Sequence, residues 1–356
     1  MSTKESHRPL RLLSLDGGGV RGLSSLIILE RLMWRADPNA RVSDYFDMIG
    51  GTSTGGIIAI MLGCLNMKVS DCIDAYGELS RMIFKLSWIK GNPAARGLRA
   101  AVGAAQFDSE TLKKAIFQIL EKYLPKERRG NRSVKDVPFL CDTDKCKVFV
   151  VAAQYADGAP TLIRNYTSSD SPENMDFKIF EAAIATSAAP TYFSHFSKQR
   201  EGNTDTADFV DGGIGSNNPI LHLDIERKKF FGDRKIGYVI SVGTGIATTA
   251  TEVSTNPISL AKKILSILTD CKSAHTLFNQ LNRDYKYFRF AADGLDGIAL
   301  DEWSELQKIR QITSSYLAAS EWLIGDCIKL MKKLNDPNQL GEVEPLNPEQ
   351  KDCMEE

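Results

Sequence analysis

Tyr45-Phe46-Asp47-Met48-Ile49-Gly50-Gly51-Thr52-Ser53-Thr54-Gly55 is the stretch that decides the fold. Residues 45–49 are a short apolar run that predicts a buried strand, the two glycines predict a turn, and residues 54–65 have apolar residues at helical spacing. The same order occurs earlier, as a strand at 10–15, a turn beginning with Asp16-Gly17-Gly18-Gly19 and a helix at 23–34. Two such units in succession predict a parallel sheet with right-handed crossovers.

Strand and helix patterns remain interleaved as far as residue 242, so we expect no internal domain boundary before that point. The predicted strands are 145–153, 161–166, 208–210 and 236–242, and the predicted helices are 70–84, 108–124, 177–189 and 219–231. Basic and polar loops are predicted at 126–132 and 194–206. After residue 256 the pattern is helical apart from 287–290, with helices at 301–317 and 320–334. We predict a polar tail at 1–9, one α/β domain at 10–334 and an acidic, disordered tail or linker at 335–356.

Composition places the 356-residue chain among ordinary globular proteins, with 43% apolar and 25% charged residues. The net charge of −1 gives no overall attraction to nucleic acid or to an anionic membrane. No leader-like apolar region is seen at the N-terminus, and no apolar run reaches the roughly 18 residues of a membrane span. Seven cysteines without a zinc-like spacing fit free thiols in a reducing compartment. We therefore expect a cytoplasmic protein without a metal or other cofactor.

Gly51-Thr52-Ser53-Thr54-Gly55 has the G-x-S-x-G pattern of a nucleophilic serine on a tight strand-to-helix turn. Small residues two positions before and after the serine let the strand and helix pass closely, and the turn exposes the hydroxyl at a helix N-terminus. The pentapeptide by itself is a common one. A plain tight turn and a phosphate-binding glycine loop remain alternatives.

The first glycine turn runs Gly17-Gly18-Gly19-Val20-Arg21-Gly22, which matches the G-x-G-x-x-G pattern of a dinucleotide site. That site needs an acidic residue at the end of the second strand, and Asp37, near the required distance, lies in a loop before Pro38. We favour an oxyanion hole, in which the amides of Gly17, Gly18 and Gly19 face a developing alkoxide. We expect Arg21 to bind a phosphate or to brace the glycine loop.

The base that activates Ser53 is predicted to be an aspartate rather than a histidine. None of the four histidines, His7, His195, His222 and His275, follows a strand at a glycine turn. Asp211 does: it closes the short strand 208–210 and is followed by Gly212 and Gly213. Side chains at this position point into the crevice at the carboxyl ends of the strands. A turn-capping role for Asp211 is the alternative.

The three glycine-marked segments, in this order, resemble the patatin-like phospholipase family. Residues 45–49, residues 183–193, and more weakly Tyr287-Phe288-Arg289-Phe290 and Leu300-Asp301-Glu302-Trp303 are also similar, so the resemblance covers roughly residues 10–317. It implies a three-layer α/β sandwich with a central, mostly parallel sheet plus C-terminal helices. It also implies a Ser53–Asp211 dyad, an oxyanion hole at residues 17–19, and calcium-independent hydrolysis of lipid acyl esters. Gly22, Gly51, Gly55, Gly212 and Gly213 are then residues that support the site.

Two further questions stay open from the sequence. Residues 81–99 mix basic and apolar side chains without an acid, which fits contact with an anionic membrane, a flap over the site, or a solvated loop. The chain is expected to act on a phospholipid or glycerolipid and to bind no nucleic acid. The alternatives are an acyltransferase, or an effector or signalling module of a larger protein.

Overall fold

The computed structural model describes residues 8–85, 107–141, 145–168, 176–200, 202, 204–245 and 271–336. Within these ranges eight strands form one sheet. They are β1 (Leu10–Leu15), β2 (Met48–Thr52), β3 (Lys147–Gln154), β4 (Pro160–Arg164), β5 (Phe196–Gln199), β6 (Thr206–Asp211), β7 (Ile236–Val242) and β8 (Tyr287–Phe290). The order across the sheet is β5-β6-β3-β2-β1-β7-β8, with β4 also paired to β3.

The centre of the sheet is parallel, as expected from the sequence. β1 pairs in parallel with β2 and β7, β2 with β3, and β7 with β8, whereas β4 and β6 run antiparallel to β3 and β5 runs antiparallel to β6. The register then places the ends of two strands side by side. Thr52 lies opposite Val151, and the next residue of β3, Ala152, lies opposite Asp211. β4 pairs with residues 149–153 of β3 and occupies one side of that strand, so β2 and β6 follow one another on its other side and bring Ser53 and Asp211 together there.

Helices cover both faces of the sheet and complete the expected three layers. They are α1 (Gly22–Ala36), α2 (Val42–Tyr45), α3 (Thr54–Ala59), α4 (Val69–Ser80), α5 (Ser109–Tyr123), α6 (Lys126–Arg129), α7 (Ile179–Ser187), α8 (Gly213–Ser216), α9 (Ile220–Phe231), α10 (Lys272–Leu281), α11 (Leu306–Ala319) and α12 (Glu321–Asn335). Wider π-helical turns, Ile60–Cys64 and Arg81–Lys85, extend α3 and α4.

Alternation along β1 shows how the sheet separates two apolar cores. Leu13 and Leu15 face the larger core, which includes side chains of α1, α3, α4, α5, α7, α11 and α12. Leu10 and Leu12 face the smaller core, which includes side chains of α9 and α10. Successive side chains of a strand point to opposite faces, so a strand that is apolar at every position must be covered on both.

Several predicted boundaries are wrong. The strand predicted at 45–49 begins only at Met48, because residues 42–45 form a helical turn in which the Asp44 carboxylate accepts the backbone N–H of Arg41 at 2.8 Å. The loop predicted at 194–206 contains the edge strand β5, whose alternating partial exposure gives no apolar run to detect. The loop predicted at 126–132 begins with the single-turn helix α6.

The C-terminal helices are present close to their predicted positions. The helix predicted at 301–317 begins at Leu306, after a tight turn over Trp303–Glu305. Asn335, predicted to begin the tail, is the last residue of α12. Residues 1–7 and 337–356 of the two predicted tails lie outside the described residues, as do residues 86–99 of the basic and apolar segment.

Candidate active site

Ser53 occupies a strained turn between β2 and α3. Its backbone has φ 55° and ψ −127°, a conformation that is essentially restricted to glycine. The Ser53 N–H donates to the Thr186 hydroxyl at 2.9 Å, and that hydroxyl donates to the Val151 carbonyl at 2.6 Å. Thr186 therefore ties the strained residue to β3 and helps to fix the direction of its side chain.

The glycines that flank Ser53 are needed for close packing. A Cβ atom on Gly51 would lie 2.3 Å from the Gly55 carbonyl oxygen, and one on Gly55 would lie 2.3 Å from the Leu15 carbonyl oxygen. Both distances are far shorter than any real contact of a Cβ atom. The G-x-S-x-G pattern thus has glycine at both positions because the backbones of the strand, turn and helix are in direct contact there.

Asp211 accepts a hydrogen bond from the Ser53 hydroxyl. The Ser53 Oγ donates to Asp211 Oδ2 at 2.5 Å, and the Gly213 N–H donates to Asp211 Oδ1 at 2.7 Å. The Asp211 side chain is buried, and this burial raises its pKa to about 7, although the hydrogen bonds from Ser53 and Gly213 act to lower it. A proton can therefore pass directly between Ser53 Oγ and this carboxylate, whose pKa lies near neutral pH. Gly212, between Asp211 and Gly213 in sequence, packs against Val151.

The glycine turn after β1 lies beside Ser53, but its amides are not equivalent. Gly17 N–H donates to the backbone carbonyl of Asn217 at 3.1 Å, a main-chain contact that makes Gly17 a poorer oxyanion donor than predicted. Gly18 N–H donates to the Thr54 hydroxyl at 3.1 Å. Gly19 N–H makes no hydrogen bond to the part of the chain that the structure describes. The amides of Gly18 and Gly19 remain the proposed donors.

The carbonyls of the same turn are each held by a polar side chain. The Thr244 hydroxyl and the Asn217 amide donate to the Gly17 carbonyl, at 2.6 and 3.3 Å, and the Tyr76 hydroxyl donates to the Gly19 carbonyl. The Arg21 Nε donates to the Gly18 carbonyl at 3.4 Å. Arg21 is buried, which lowers its pKa, and it lies where a brace of the loop was expected.

Tyr76 also explains the glycine that begins α1. A Cβ atom on Gly22 would lie 2.6 Å from the Tyr76 hydroxyl oxygen. Gly22 therefore leaves room for the hydroxyl that holds the Gly19 carbonyl.

A buried ion pair lies directly before the glycine turn. Arg289 donates to both carboxylate oxygens of Asp16, at 3.0 and 2.5 Å, and to the Ser241 hydroxyl at 2.7 Å. Burial alone would lower the pKa of Arg289, but the Asp16 carboxylate raises it overall. The sequence assigned no role to either residue, nor to Thr186, Thr244, Asn217 or Tyr76, because each is a single polar residue whose partner lies far away along the chain.

The histidines that the structure describes bind other groups. His222 Nε2 lies 2.9 Å from the Ser216 hydroxyl, and His275 Nδ1 lies 2.9 Å from the Tyr287 hydroxyl. Burial lowers the pKa of His222 and, to about 4, that of His275. His195 lies against Tyr155 at the sheet edge, and His7 lies outside the described residues. None of the three described histidines is hydrogen-bonded to Ser53.

An apolar cavity opens over the serine. It contains about 760 Å³ of space between the atoms, part of it open to solvent, and Ser53 and Asp211 lie on its wall. Side chains from α3, α4 and α5 and from the loop after α7 form most of the remaining wall: Ile57, Leu79, Ile83, Phe84, Leu112, Tyr192 and Phe193. Ile83 and Phe84, two of the three described apolar residues of the segment 81–99, thus border this cavity.

The described residues contain neither a cluster of metal ligands nor a membrane-spanning helix. No group of three or more His, Cys, Asp or Glu side chains in these ranges is placed to hold a metal ion. None of the helices described is both long and apolar enough to cross a bilayer.

Comparison with known proteins gives matches over the same region. Residues 13–224 match the family described as patatin-like phospholipase. The chain is 27% identical over 347 residues to the calcium-independent phospholipase A2-gamma of Oryctolagus cuniculus, covering 92% of this chain and 41% of that protein. It is 30% identical over 265 residues to the cGAMP-activated phospholipase of Escherichia coli (strain TW11681), covering 71% of this chain and 66% of that protein.

Among solved structures, VipD from Legionella pneumophila matches with 14% identity and a TM-score of 0.38, over 87% of this chain and 67% of that one. The matched part of the chain spans less than half of the phospholipase A2-gamma protein and about two thirds of the Escherichia coli phospholipase.

Proposed function

Because the chain belongs to the patatin-like phospholipase family, we propose that it hydrolyses fatty acyl esters of phospholipids or other glycerolipids through Ser53 and Asp211. The single observation that carries the proposal is the 2.5 Å hydrogen bond from Ser53 Oγ to Asp211 Oδ2 on the wall of an apolar cavity. The nucleophile is then hydrogen-bonded to its base, and both border a cavity for the acyl chain. Cavities that bind ligands are usually apolar with a few placed polar groups.

The first half of the reaction forms an acyl-enzyme. Asp211 takes the proton of Ser53 as Oγ attacks the ester carbonyl carbon, and the carbonyl electrons move to its oxygen. The amides of Gly18 and Gly19 donate to this oxyanion, with the Gly18 amide shared with or released from Thr54. The tetrahedral intermediate then collapses, the bond to the alcohol or lysolipid breaks, and protonated Asp211 gives its proton to the leaving oxygen.

The second half reverses these roles with water. Asp211, again ionised, takes a proton from a water molecule that attacks the acyl carbonyl. Collapse of the second tetrahedral intermediate releases the fatty acid and returns the proton to Ser53 Oγ. The pKa of Asp211, raised to about 7 by burial, supports both roles, since a general acid–base group works best when its pKa is near the operating pH.

The surroundings of the reaction are also part of the proposal. No step needs a metal ion, so the reaction is calcium-independent. The enzyme acts in the cytoplasm and reaches lipid at a membrane surface, where the basic and apolar segment 81–99 makes peripheral contact. A flotation assay with anionic liposomes and the Trp88→Ala variant tests that contact, and unchanged binding would exclude a role for Trp88.

Hydrolysis is tested with p-nitrophenyl acyl esters and with phosphatidylcholine vesicles in the presence of EDTA. Ser53→Ala and Asp211→Asn should each lose nearly all activity on both substrates. Asp208→Asn is the matched control, because Asp208 lies on the same strand but accepts the Ser197 hydroxyl at 2.6 Å instead. Full activity in the Ser53 or Asp211 variant removes that residue from the mechanism. Transfer of the acyl group to an added alcohol in preference to water would make the protein an acyltransferase.

A further inference from the structure

A second cavity lies at the end of β3, and no described residue borders both it and the cavity over Ser53. It contains about 690 Å³ of space between the atoms, part of it open to solvent. The described residues that border it are 154–156 at the end of β3, Thr161 on β4, Arg200 directly after β5, and 206–209 on β6. Its size is that of a site for a small molecule, and its walls are polar as well as apolar.

Thr161 brings a buried but reachable hydroxyl to this cavity. The residue is only 7% exposed, and its Oγ1 makes no hydrogen bond to the part of the chain that the structure describes. The atom itself is not fully enclosed, so a molecule in the cavity can contact it. Because a buried hydroxyl without a partner destabilises the folded protein, a ligand that pairs with this one gains binding free energy.

Arg200 brings a guanidinium without a partner. Its backbone N–H donates to the Asp205 carbonyl at 3.0 Å, which continues the pairing of β5 with β6 by one residue. Its side chain is exposed and makes no ion pair or hydrogen bond to the described residues. Lys198, two residues earlier, is instead paired with Glu181 at 2.7 Å. Arg200 is therefore the cation of this hairpin that remains available to a ligand.

Pairing with β3 places Thr161 and Gln154 on one face of the sheet. Residues directly opposite each other on paired strands point to the same face, and successive residues point to opposite faces. Ala152 lies opposite Thr161 on β4 and opposite Asp211 on β6. Gln154, two residues further along β3, lies opposite Phe209. The Thr161 hydroxyl and the Gln154 amide are thus on the same face beside the ring of Phe209.

The same alternation separates Arg200 from the only carboxylate among the described residues that border the cavity. Phe196 lies opposite Phe209, so Phe196 and, four residues on, Arg200 share the face of Phe209. Asp208 points to the other face, where it accepts the Ser197 hydroxyl at 2.6 Å. The hydrogen-bond donors of the cavity therefore share one face, and the carboxylate lies on the other.

We propose that this second cavity binds a phosphate group, with Arg200, Thr161 and Gln154 as its donors. A guanidinium presents two parallel N–H groups that match two phosphate oxygens, and the hydroxyl and the side-chain amide each supply a further donor. The phosphate belongs either to a small soluble ester or to a lipid headgroup, since both present the same oxygens. The proposal does not depend on the hydrolase function proposed above.

Calorimetric titration with glycerol 3-phosphate tests the soluble source. Arg200→Gln should raise the Kd by about tenfold or more, because a hydrogen bond to a charged group is lost. Thr161→Val, which keeps the shape of the side chain, should raise it several-fold. Glycerol, which lacks the phosphate, should not bind. Arg310→Gln is the matched control and should keep the wild-type Kd, because Arg310 is exposed on α11 and borders neither cavity.

Flotation with phosphatidylcholine vesicles that contain phosphatidic acid tests the lipid source. The variants are made in the Ser53→Ala background, so that the lipid is not hydrolysed during the assay. If the headgroup occupies the cavity, Arg200→Gln and Thr161→Val should both reduce the bound fraction, and glycerol 3-phosphate should compete. Thr161→Val changes no charge, so its effect separates the site from a general attraction of Arg200 to an anionic surface.

The outcomes decide both the site and the source of the phosphate. Weaker binding in both variants supports the site, and the probe with which it occurs identifies the source. Binding that depends on Arg200 but not on Thr161 would overturn the proposal, as would no binding of either probe, the result expected of a cavity that holds only water. Hydrolysis of p-nitrophenyl esters should stay at the wild-type rate in Arg200→Gln and Thr161→Val, so a parallel loss of hydrolysis and binding would contradict a separate site.

Discussion

Arg289 in β8 and Asp16 at the end of β1 form a two-point ion pair directly before the glycine turn. The Asp16 side chain is fully buried, and that of Arg289 is 14% exposed. Asp16 stands two residues before Gly18, one of the two amides proposed to bind the oxyanion. An unpaired carboxylate here would oppose the negative charge that develops on the ester oxygen. Arg289 therefore both fixes the start of the turn and neutralises this charge.

Removal of Arg289 should damage stability and catalysis together. Arg289→Met leaves the Asp16 carboxylate buried and uncompensated, which should lower the free energy of unfolding in urea by about 3–5 kcal/mol. The double variant Asp16→Asn with Arg289→Met should recover at least half of that loss. Because the carboxylate opposes the oxyanion, kcat should fall more in Arg289→Met than in Asp16→Asn. An equal fall of kcat in the two variants would show that the ion pair has only a structural role.

Tyr76→Phe tests the support of the glycine turn from its other side. The variant removes the hydrogen bond to the Gly19 carbonyl, worth about 1 kcal/mol, and kcat should fall several-fold. Tyr238→Phe is the control, because the buried Tyr238 hydroxyl donates to the Tyr45 carbonyl at 2.6 Å and Tyr238 pairs with Arg11, at the opposite end of β1 from the turn. It should lose comparable stability with little change in kcat. Equal kcat losses in both variants would deny Tyr76 a specific role.

The strained backbone of Ser53 predicts a difference between two inactive variants. Ser53→Ala and Ser53→Gly both lose the hydroxyl, but only glycine adopts φ 55° and ψ −127° without strain. Strain of this kind costs about 1–3 kcal/mol. Part of the stability that glycine gains by relieving it is lost, because glycine also makes the unfolded chain more flexible. Ser53→Gly should therefore be more stable than Ser53→Ala by about 1 kcal/mol in urea denaturation. Equal stability would mean that the turn holds no such strain.

The raised pKa of Asp211 predicts the pH dependence of activity. The base must be ionised to take the Ser53 proton, so kcat/KM should rise with pH through about 7 and level off above it. An aspartate with an ordinary pKa near 3.8 would instead give a flat profile from about pH 5 upward. A profile that does not change between pH 5 and 8 would contradict the role given to this carboxylate.

Stability should change with pH in the opposite direction. The pKa of Asp211 is higher in the folded protein than in the unfolded chain, so between about pH 4 and 7 the folded state binds more protons. Its contribution to stability is therefore present at low pH and is lost as pH rises, by at most about 1.4 kcal/mol per pH unit. Asp211→Asn, which does not titrate, should lack this slope.

The sequence was sufficient for the parts of the molecule that repeat a local pattern. Apolar runs predicted β1 and β7 with their observed bounds, and the glycines marked the three turns that meet at the site because each allows close backbone contact. The sequence predicted Ser53 and Asp211 at the carboxyl ends of strands, but it did not predict that β6 runs antiparallel to β3. The two residues meet because β6 ends opposite Ala152, one residue beyond the partner of Thr52. Edge strand β5 was missed because its side chains are only partly buried and form no apolar run.

Residues that hold the site from a distance could not be predicted in this way. Thr186, Thr244 and Arg289 lie 133, 227 and 273 residues along the chain from the groups they bind. Each is a single polar residue whose partner is fixed only by the packing of the sheet. The use of the Gly17 amide by Asn217 is likewise a tertiary contact, so the sequence could not show which amides of the turn stay available.

Covalent labelling of the serine is the most direct test of the central claim. The purified protein is treated with a fluorophosphonate, and the adduct is located by intact mass and peptide mapping. The account predicts one adduct per chain, on the peptide that contains Ser53, none in Ser53→Ala, and much slower labelling in Asp211→Asn. An unlabelled wild type, or an adduct on another residue that persists in Ser53→Ala, would contradict it.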